Sequence, residues 1–234
     1  MTIPMYIKHP DLPPIDVNQK IWHYFSLSKF LALLSSSSLY MCRQDKFDDS
    51  FEGALTQKDE AFFESKSAGV TKGMRRDALG CTYSNRWTRS DVDEYALWSS
   101  YASLKDGVAV QSTVLRLITA LDPDDKRAVY VSNVQYIDYE TDYSFQLTKG
   151  IANMIAPHFS KRPYFKSEKE LRAMYWDTDG RYSSTPEGLL FKVDLNELIE
   201  FVYVAPFSMP QYRDIIEDLI MKYGLRKEVI KSGI

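Results

Sequence analysis

The chain has 234 residues, of which 44% are hydrophobic and 14% aromatic, enough apolar material for one large domain or two small ones. A formal net charge of −3 and a pI of about 5.7 exclude a global field that would draw it to nucleic acid or to an anionic membrane. Cys42, Cys81, His9, His23 and His158 are scattered without disulfide or metal-ligand spacing, so a reducing compartment is expected and a bound metal is not.

No apolar run approaches a membrane-spanning length, and the first residues lack a basic start followed by an apolar stretch, so the expected location is cytoplasmic. Tyr 16 and Phe 12 are generous for the length and favour a fold that contains sheet. Residues 1–19 hold Pro4, Pro10, Pro13 and Pro14 and read as an irregular lead-in, with a single α+β domain expected over 20–234.

Ile21-Trp22-His23-Tyr24-Phe25 has the composition of a strand. Ser26 is placed to cap a helix over Leu27–Leu34, whose Leu27, Phe30, Leu31 and Leu34 recur at helical spacing. A short strand, Leu39–Cys42, precedes a polar loop, Asp45–Gly53, pinned by Phe47 and Phe51. Residues 56–77 read as a charged helix interrupted near Gly69 and Gly73, followed by a strand at Leu79–Ser84 and a helix at Asp91–Ala102. A strand at Gly107–Ser112 and a helix from Val114 to Leu121 lead to Ala128–Ile137, the longest β-rich run. Helix is expected over 141–159, strands at Gly188–Asp194 and Phe201–Ala205, an amphipathic helix over Pro210–Tyr223 and a last strand at Lys227–Ile230. The rhythm is not that of βαβ units, and no Gly-rich phosphate loop follows any strand. Mainly antiparallel sheets with flanking helices are expected.

Four groups of residues carry candidate chemistry. His23 sits at the centre of the first strand; an interior histidine bonded to backbone is the commoner case, but with Ser26 it can also hold a ribose or an amide. Asp48, Asp49 and Glu52 lack the ligand spacing of a calcium loop and fit a turn better than a metal centre for hydrolysis. Trp98 and Tyr101 have ordinary core spacing and would equally serve as a stacking wall. The segment from Lys161 to Arg172 sets those two cations with two aromatics and two carboxylates, Glu168 and Glu170. As a strand, residues 168–175 would set Glu168, Glu170 and Arg172 on one face; as a helix, Glu168 and Arg172 form a surface pair. Ser167 with Glu170 fits a capping box and Glu, Lys, Leu, Arg, Ala and Met favour helix, so local physics prefers the second form.

The ordered set Trp22-His23-Tyr24, Phe47-Asp48-Asp49-Ser50-Phe51-Glu52, Trp98-Ser99-Ser100-Tyr101 before Gly107-Val108-Ala109-Val110, Lys161 with Phe165, Glu168, Glu170 and Arg172, and Phe201–Pro206 resembles the bacterial domain-of-unknown-function family twenty-nine seventy-one over residues 20–234. That family usually has Asn-Asp-Pro where this chain has Asp48-Asp49-Ser50, and an aromatic where it has Leu171. More loosely, a strand bearing His, a hydroxyl and helix after it, and a late strand bearing Glu are similar to ADP-ribosyltransferase-like folds, a group that includes the DarT toxins and the RNA 2′-phosphotransferases. That resemblance implies NAD as co-substrate, a nucleic-acid or protein acceptor, and a toxin or phage-defence setting. It implies a catalytic Glu170 that stabilises the oxocarbenium-like carbon, Glu168 orienting the acceptor, and His23 and Ser26 on ribose and amide. Trp98 or Tyr101 would line the pocket, with Arg43, Lys161 or Arg172 on pyrophosphate. Set against the enzyme is a non-catalytic binding module whose Glu168–Glu170–Arg172 face contacts a partner.

Overall fold

The computed structural model describes residues 6–9, 12–65, 78–144, 155–177 and 186–234. Aromatic and β-branched runs become the strands, and their neighbours decide which of them are central. The first half comprises β1 (Tyr6–Ile7), β2 (Lys20–Phe25), α1 (Leu27–Ser36), β3 (Ser38–Arg43), α2 (Gln57–Ser65), β4 (Thr82–Arg89), α3 (Tyr95–Tyr101) and β5 (Val108–Thr113). The second comprises α4 (Val114–Thr119), β6 (Val129–Asn133), β7 (Gln135–Tyr136), β8 (Ser160–Lys161), β9 (Glu170–Trp176), β10 (Gly188–Lys192), α5 (Leu195–Leu198), β11 (Phe201–Val204), α6 (Tyr212–Lys222) and β12 (Val229–Lys231).

One sheet runs β1-β6-β9-β4-β2-β5-β11-β12, and β3, carrying β10 on its outer edge, branches from β4. Among the described residues its pairs are antiparallel except β1–β6 and β11–β12. The class is α+β, a mainly antiparallel sheet with helices on its flanks. The lead-in expected to be irregular contributes β1, which pairs with β6 at Tyr6↔Val129.

The sheet opens at β4. On one edge β4 pairs with β9 continuously, from Thr82↔Trp176 to Thr88↔Glu170. On the other it meets β3 at Tyr83 and Ser84 and β2 at Thr88 and Arg89, so Asn85, Arg86 and Trp87 have no strand beside them there. α1 joins the two strands that flank this gap. Ser26 caps it by accepting from Lys29 N at 3.4 Å, and Ser37 ends it in the left-handed conformation at φ 46°. Its buried Phe30, Leu33 and Leu34 belong to the core cluster that includes Ile21, Phe25, Trp87, Leu171 and Ala173; each such side chain contributes roughly 1.5–3 kcal/mol. Trp22 and Tyr24, alternating to the other face, pack with Leu97 and Trp98 of α3.

Several boundaries differ from expectation. β4 starts three residues later than the run expected at Leu79–Ser84 and continues to Arg89, because Ser84, Arg86 and Thr88 alternate onto a polar face. α3 begins at Tyr95, after a turn at 91–94. Of the helices expected over 56–77 and 141–159, residues 66–77 and 145–154 lie outside the described residues; α2 covers 57–65, and 156–159 form one 3₁₀ turn. The largest reversal is at 170–176. Local preference for helix yields to strand because β9 is hydrogen-bonded on both edges, to β4 and to β6, and tertiary pairing overrides weak propensity.

Gly53 closes the loop after Phe51 at φ +74°, where an added Cβ would lie 2.4 Å from Leu79 Cδ2 and 3.2 Å from Gln44 Oε1. Gly53→Ala is expected to cost roughly 2–4 kcal/mol, the left-handed penalty plus overpacking, in urea unfolding. A loss below about 0.5 kcal/mol would show that the loop can shift without cost.

Candidate functional site: a cavity at the split in the sheet

The unpartnered stretch of β4 opens onto a cavity of about 510 Å³. Its lining includes His23 from β2, Lys29 from α1, Asn85, Arg86 and Trp87 from β4, Tyr101 from α3, and Glu168 and Glu170. The register decides what faces what. Trp22 stands opposite Thr88, and Thr88 opposite Glu170, so those three share a face and His23 projects from the other, as side chains alternate. Arg86 stands opposite Arg172 on the face of Glu170. The imidazole and the carboxylates therefore come from opposite faces, and both border the cavity because the sheet is open between β2 and β3.

The carboxylates are fixed by an ionic network. A 3₁₀ turn at Pro163–Glu168 ends at Lys169, whose φ of 45° is left-handed and turns the chain into β9. Glu168 thereby stands outside the strand yet beside Glu170, and Lys161 reaches both: its Nζ is 2.6 Å from Glu168 Oε2 and 3.4 Å from Glu170 Oε2. Arg172, 0% exposed, donates from Nε to Glu170 Oε1 at 2.8 Å and from Nη2 to Glu52 Oε2 at 2.6 Å. Its Nη1 donates to the His158 carbonyl. Glu52, also buried, lies 3.4 Å from Lys161 Nζ and 3.8 Å from Arg86 Nη1. Tyr101 Oη donates to Glu168 Oε1 at 2.6 Å, and Tyr136 Oη accepts from Glu170 N at 2.8 Å.

Burial alone would raise the Glu170 pKa, but Arg172, Lys161 and Arg86 outweigh it and hold the carboxyl below the usual range. It is ionised at neutral pH. Burial works equally against the Lys161 ammonium, which Glu170, Glu52 and Glu168 raise. Burial, with the bond to Glu168, pushes the Tyr101 hydroxyl up, so it remains a donor. His23 is pushed down to about 3, first by burial and then by the positive charges of Arg86 and Lys29. Its ring stacks on Phe25 at 4.2 Å and meets Trp87 edge-on at 5.2 Å.

Of the residues that the sequence offers for an NAD site, His23, Tyr101, Glu168 and Glu170 line the cavity, and five do not. Ser26 is engaged in capping α1 and lies 3.1 Å from Ser28 Oγ. Arg43 is buried against Asp45, 2.6 Å away. Trp98 is wholly buried, with Nε1 donating to Asp93 at 3.0 Å, which is its core reading. Lys161 and Arg172, read as pyrophosphate ligands, are engaged by Glu52, Glu168 and Glu170. The turn reading of the acidic loop agrees with Asp49 Oδ1 accepting from Phe51 N at 3.1 Å. Among the described residues no group of three His, Cys, Asp or Glu is placed to hold a metal. Sequence reasoning missed Glu52 as the second carboxylate on Arg172, and Lys29, Asn85, Arg86 and Trp87. Alternation in 84–88 was the signal for the last three; nothing local marks Glu52.

Arg172→Met would leave Glu52 and Glu170 buried with only the more distant Lys161 ammonium between them, an expected loss of roughly 3–5 kcal/mol in urea unfolding at pH 7. A loss under 1 kcal/mol would mean the network is not holding the site. His23 stays neutral in the fold down to about pH 3, while an unfolded histidine takes a proton near 6.5. Its contribution to stability is therefore full above pH 6.5 and is lost as pH falls toward 3, at up to about 1.4 kcal/mol per pH unit. His23→Gln is expected to flatten the thermal stability profile between pH 6.5 and 5, above the range in which carboxylates titrate; an unchanged slope would refute this.

No family model matches the chain, and no curated protein does. Solved structures of DarT from Thermus sp. 2.9 are similar to it. The complex with NAD+ has a TM-score of 0.43 and 10% identity over 93% of this chain and 97% of that one. The complex with carba-NAD+ gives the same figures. The complex with ADP-ribosylated ssDNA has a TM-score of 0.42 and 10% identity over 94% and 97%.

Proposed function

We propose that the cavity binds NAD and that the protein transfers ADP-ribose to a nucleophile on a nucleic acid or a protein. The observation that carries this reading is that His23, Glu168 and Glu170 all border one cavity. Its volume of about 510 Å³ lies within the range of small-molecule sites. Glu170 is the catalytic carboxylate. As the bond between the ribose anomeric carbon and the nicotinamide nitrogen breaks, its electron pair leaves with nicotinamide. Positive charge grows on the ribose, and a carboxylate already ionised and held by Arg172 and Lys161 stabilises it without reorganising. The acceptor then bonds to the anomeric carbon and gives up its proton to the carboxylate of Glu168, which Tyr101 and Lys161 anchor and which orients that group.

Binding falls to other residues. Lys29, exposed, and Arg86, 39% exposed beside Glu52, line the cavity and can face a pyrophosphate from the open side. Arg86 is steadied by its guanidinium lying 4.5 Å from the Phe47 ring centroid. His23, neutral at pH 7, offers hydrogen bonds to ribose or amide without adding charge.

Nicotinamide release from NAD, with nucleic-acid and protein acceptors supplied in turn, tests the proposal. Glu170→Gln should lower release by about 100-fold or more, while NAD still raises the melting temperature of the variant. If wild type shows neither release nor stabilisation by NAD, the site is a non-catalytic binding module.

A further inference from the structure

Three buried side-chain polar atoms without a hydrogen-bond partner, His23 Nδ1, Asn85 Oδ1 and Trp87 Nε1, belong to residues that line the cavity. Orphaned polar groups are costly, so their concentration at one place calls for a function. Register sets all three on one face: Asn85 and Trp87 are two apart on β4, and His23 packs edge-on to Trp87. Asn85 and Trp87 lie on the stretch of β4 that neither β2 nor β3 covers, and His23 comes from β2 beside it.

Their chemistry is specific. Asn85 Nδ2 donates to the Tyr40 carbonyl at 3.0 Å, which fixes the amide and leaves Oδ1 as an acceptor. Trp87 Nε1 can only donate. The His23 Nδ1 without a partner adds a second polar atom beside the indole. Residues two apart on a strand are separated by roughly 7 Å, a span that the edge of one planar ring and its substituent can bridge.

We infer that Asn85 and Trp87 form a slot that reads an N–H₂ donor beside an acceptor on a planar ring. Two parts of a dinucleotide carry that pattern: the primary carboxamide of nicotinamide, and the 6-amino edge of adenine with its ring nitrogen. A nicotinate carboxylate would present a negative oxygen to Asn85 Oδ1. A hypoxanthine would present the pattern reversed, an oxygen where the amine was and an N–H where the acceptor was. The slot thus rejects the deaminated form of whichever group it holds, and Asn85 and Trp87 are specificity-determining residues. This rests on the NAD reading above and goes beyond it.

Calorimetric titration of wild type with NAD, nicotinic acid adenine dinucleotide and nicotinamide hypoxanthine dinucleotide tests the slot. One analogue should bind at least tenfold more weakly than NAD and the other within about threefold, which identifies the group that is read. Asn85→Leu and Trp87→Phe should bring the discriminating ratio to within about threefold of one, since each removes a single polar contact. Equal binding of all three dinucleotides by wild type overturns the slot and leaves NAD binding standing. Variants that weaken all three alike also overturn it, because they reveal a structural role. If wild type binds no dinucleotide, the NAD reading fails separately, and the slot is judged with nicotinamide against nicotinate and adenine against hypoxanthine; no preference in either pair overturns it too.

Discussion

A guanidinium sealed from water holds the carboxylate wall of the cavity together. Arg172 is the point at which loop and strand meet, because one carboxylate comes from the turn after Phe51 and the other from its own strand. Burial works against the Glu170 carboxylate, which Arg172 first of all keeps charged, and a buried arginine would not be tolerated without its carboxylates. Lys161 adds a second cation that reaches a third carboxylate at the rim. The charges cancel inside while their geometry stays directed outward. The shape of the carboxylate wall is therefore set by long-range pairing between segments more than a hundred residues apart.

The gap in the sheet complements this. Backbone groups at the centre of a sheet are ordinarily all paired, and a stretch of β4 that lacks a neighbour on one edge sacrifices that cohesion. What is gained is access: a cavity that reaches side chains on both faces of one strand pair. A continuous sheet would have kept the imidazole and the carboxylates in separate compartments. Helix α1 and the aromatic residues around it shield the exposed edge of β4 without filling the gap.

Much of the scaffold was legible in the chain. The first strand, the Ser26 cap, Val108–Thr113 and the amphipathic helix before Tyr223 have local signals of period and capping that the environment reinforces. His23 and the two late glutamates were also visible as candidates, through residue type and order. The conformation of 170–176 was not, because its residues prefer helix in isolation and become strand only between two neighbours that the sequence does not announce. Arg43, Lys161 and Arg172 read as free cations for the same reason: whether an arginine faces a ligand or a buried acid is decided by contacts distant in sequence. Glu52 was hidden among acidic turn residues, and Asp49 beside it does what a turn residue does.

Helix α1 has a mechanical consequence. It joins β2 directly to β3, so both lips of the opening and the rod between them come from residues 20–43, one uninterrupted stretch. A helix is stiff along its axis and advances about 1.5 Å per residue. The spacing of the lips is thus gauged by the length of a single segment, as a spacer sets the jaws of a clamp, while the far wall is assembled from distant parts of the chain. The opening is framed by one segment, which also carries His23 and Lys29, while the carboxylate wall is built from others.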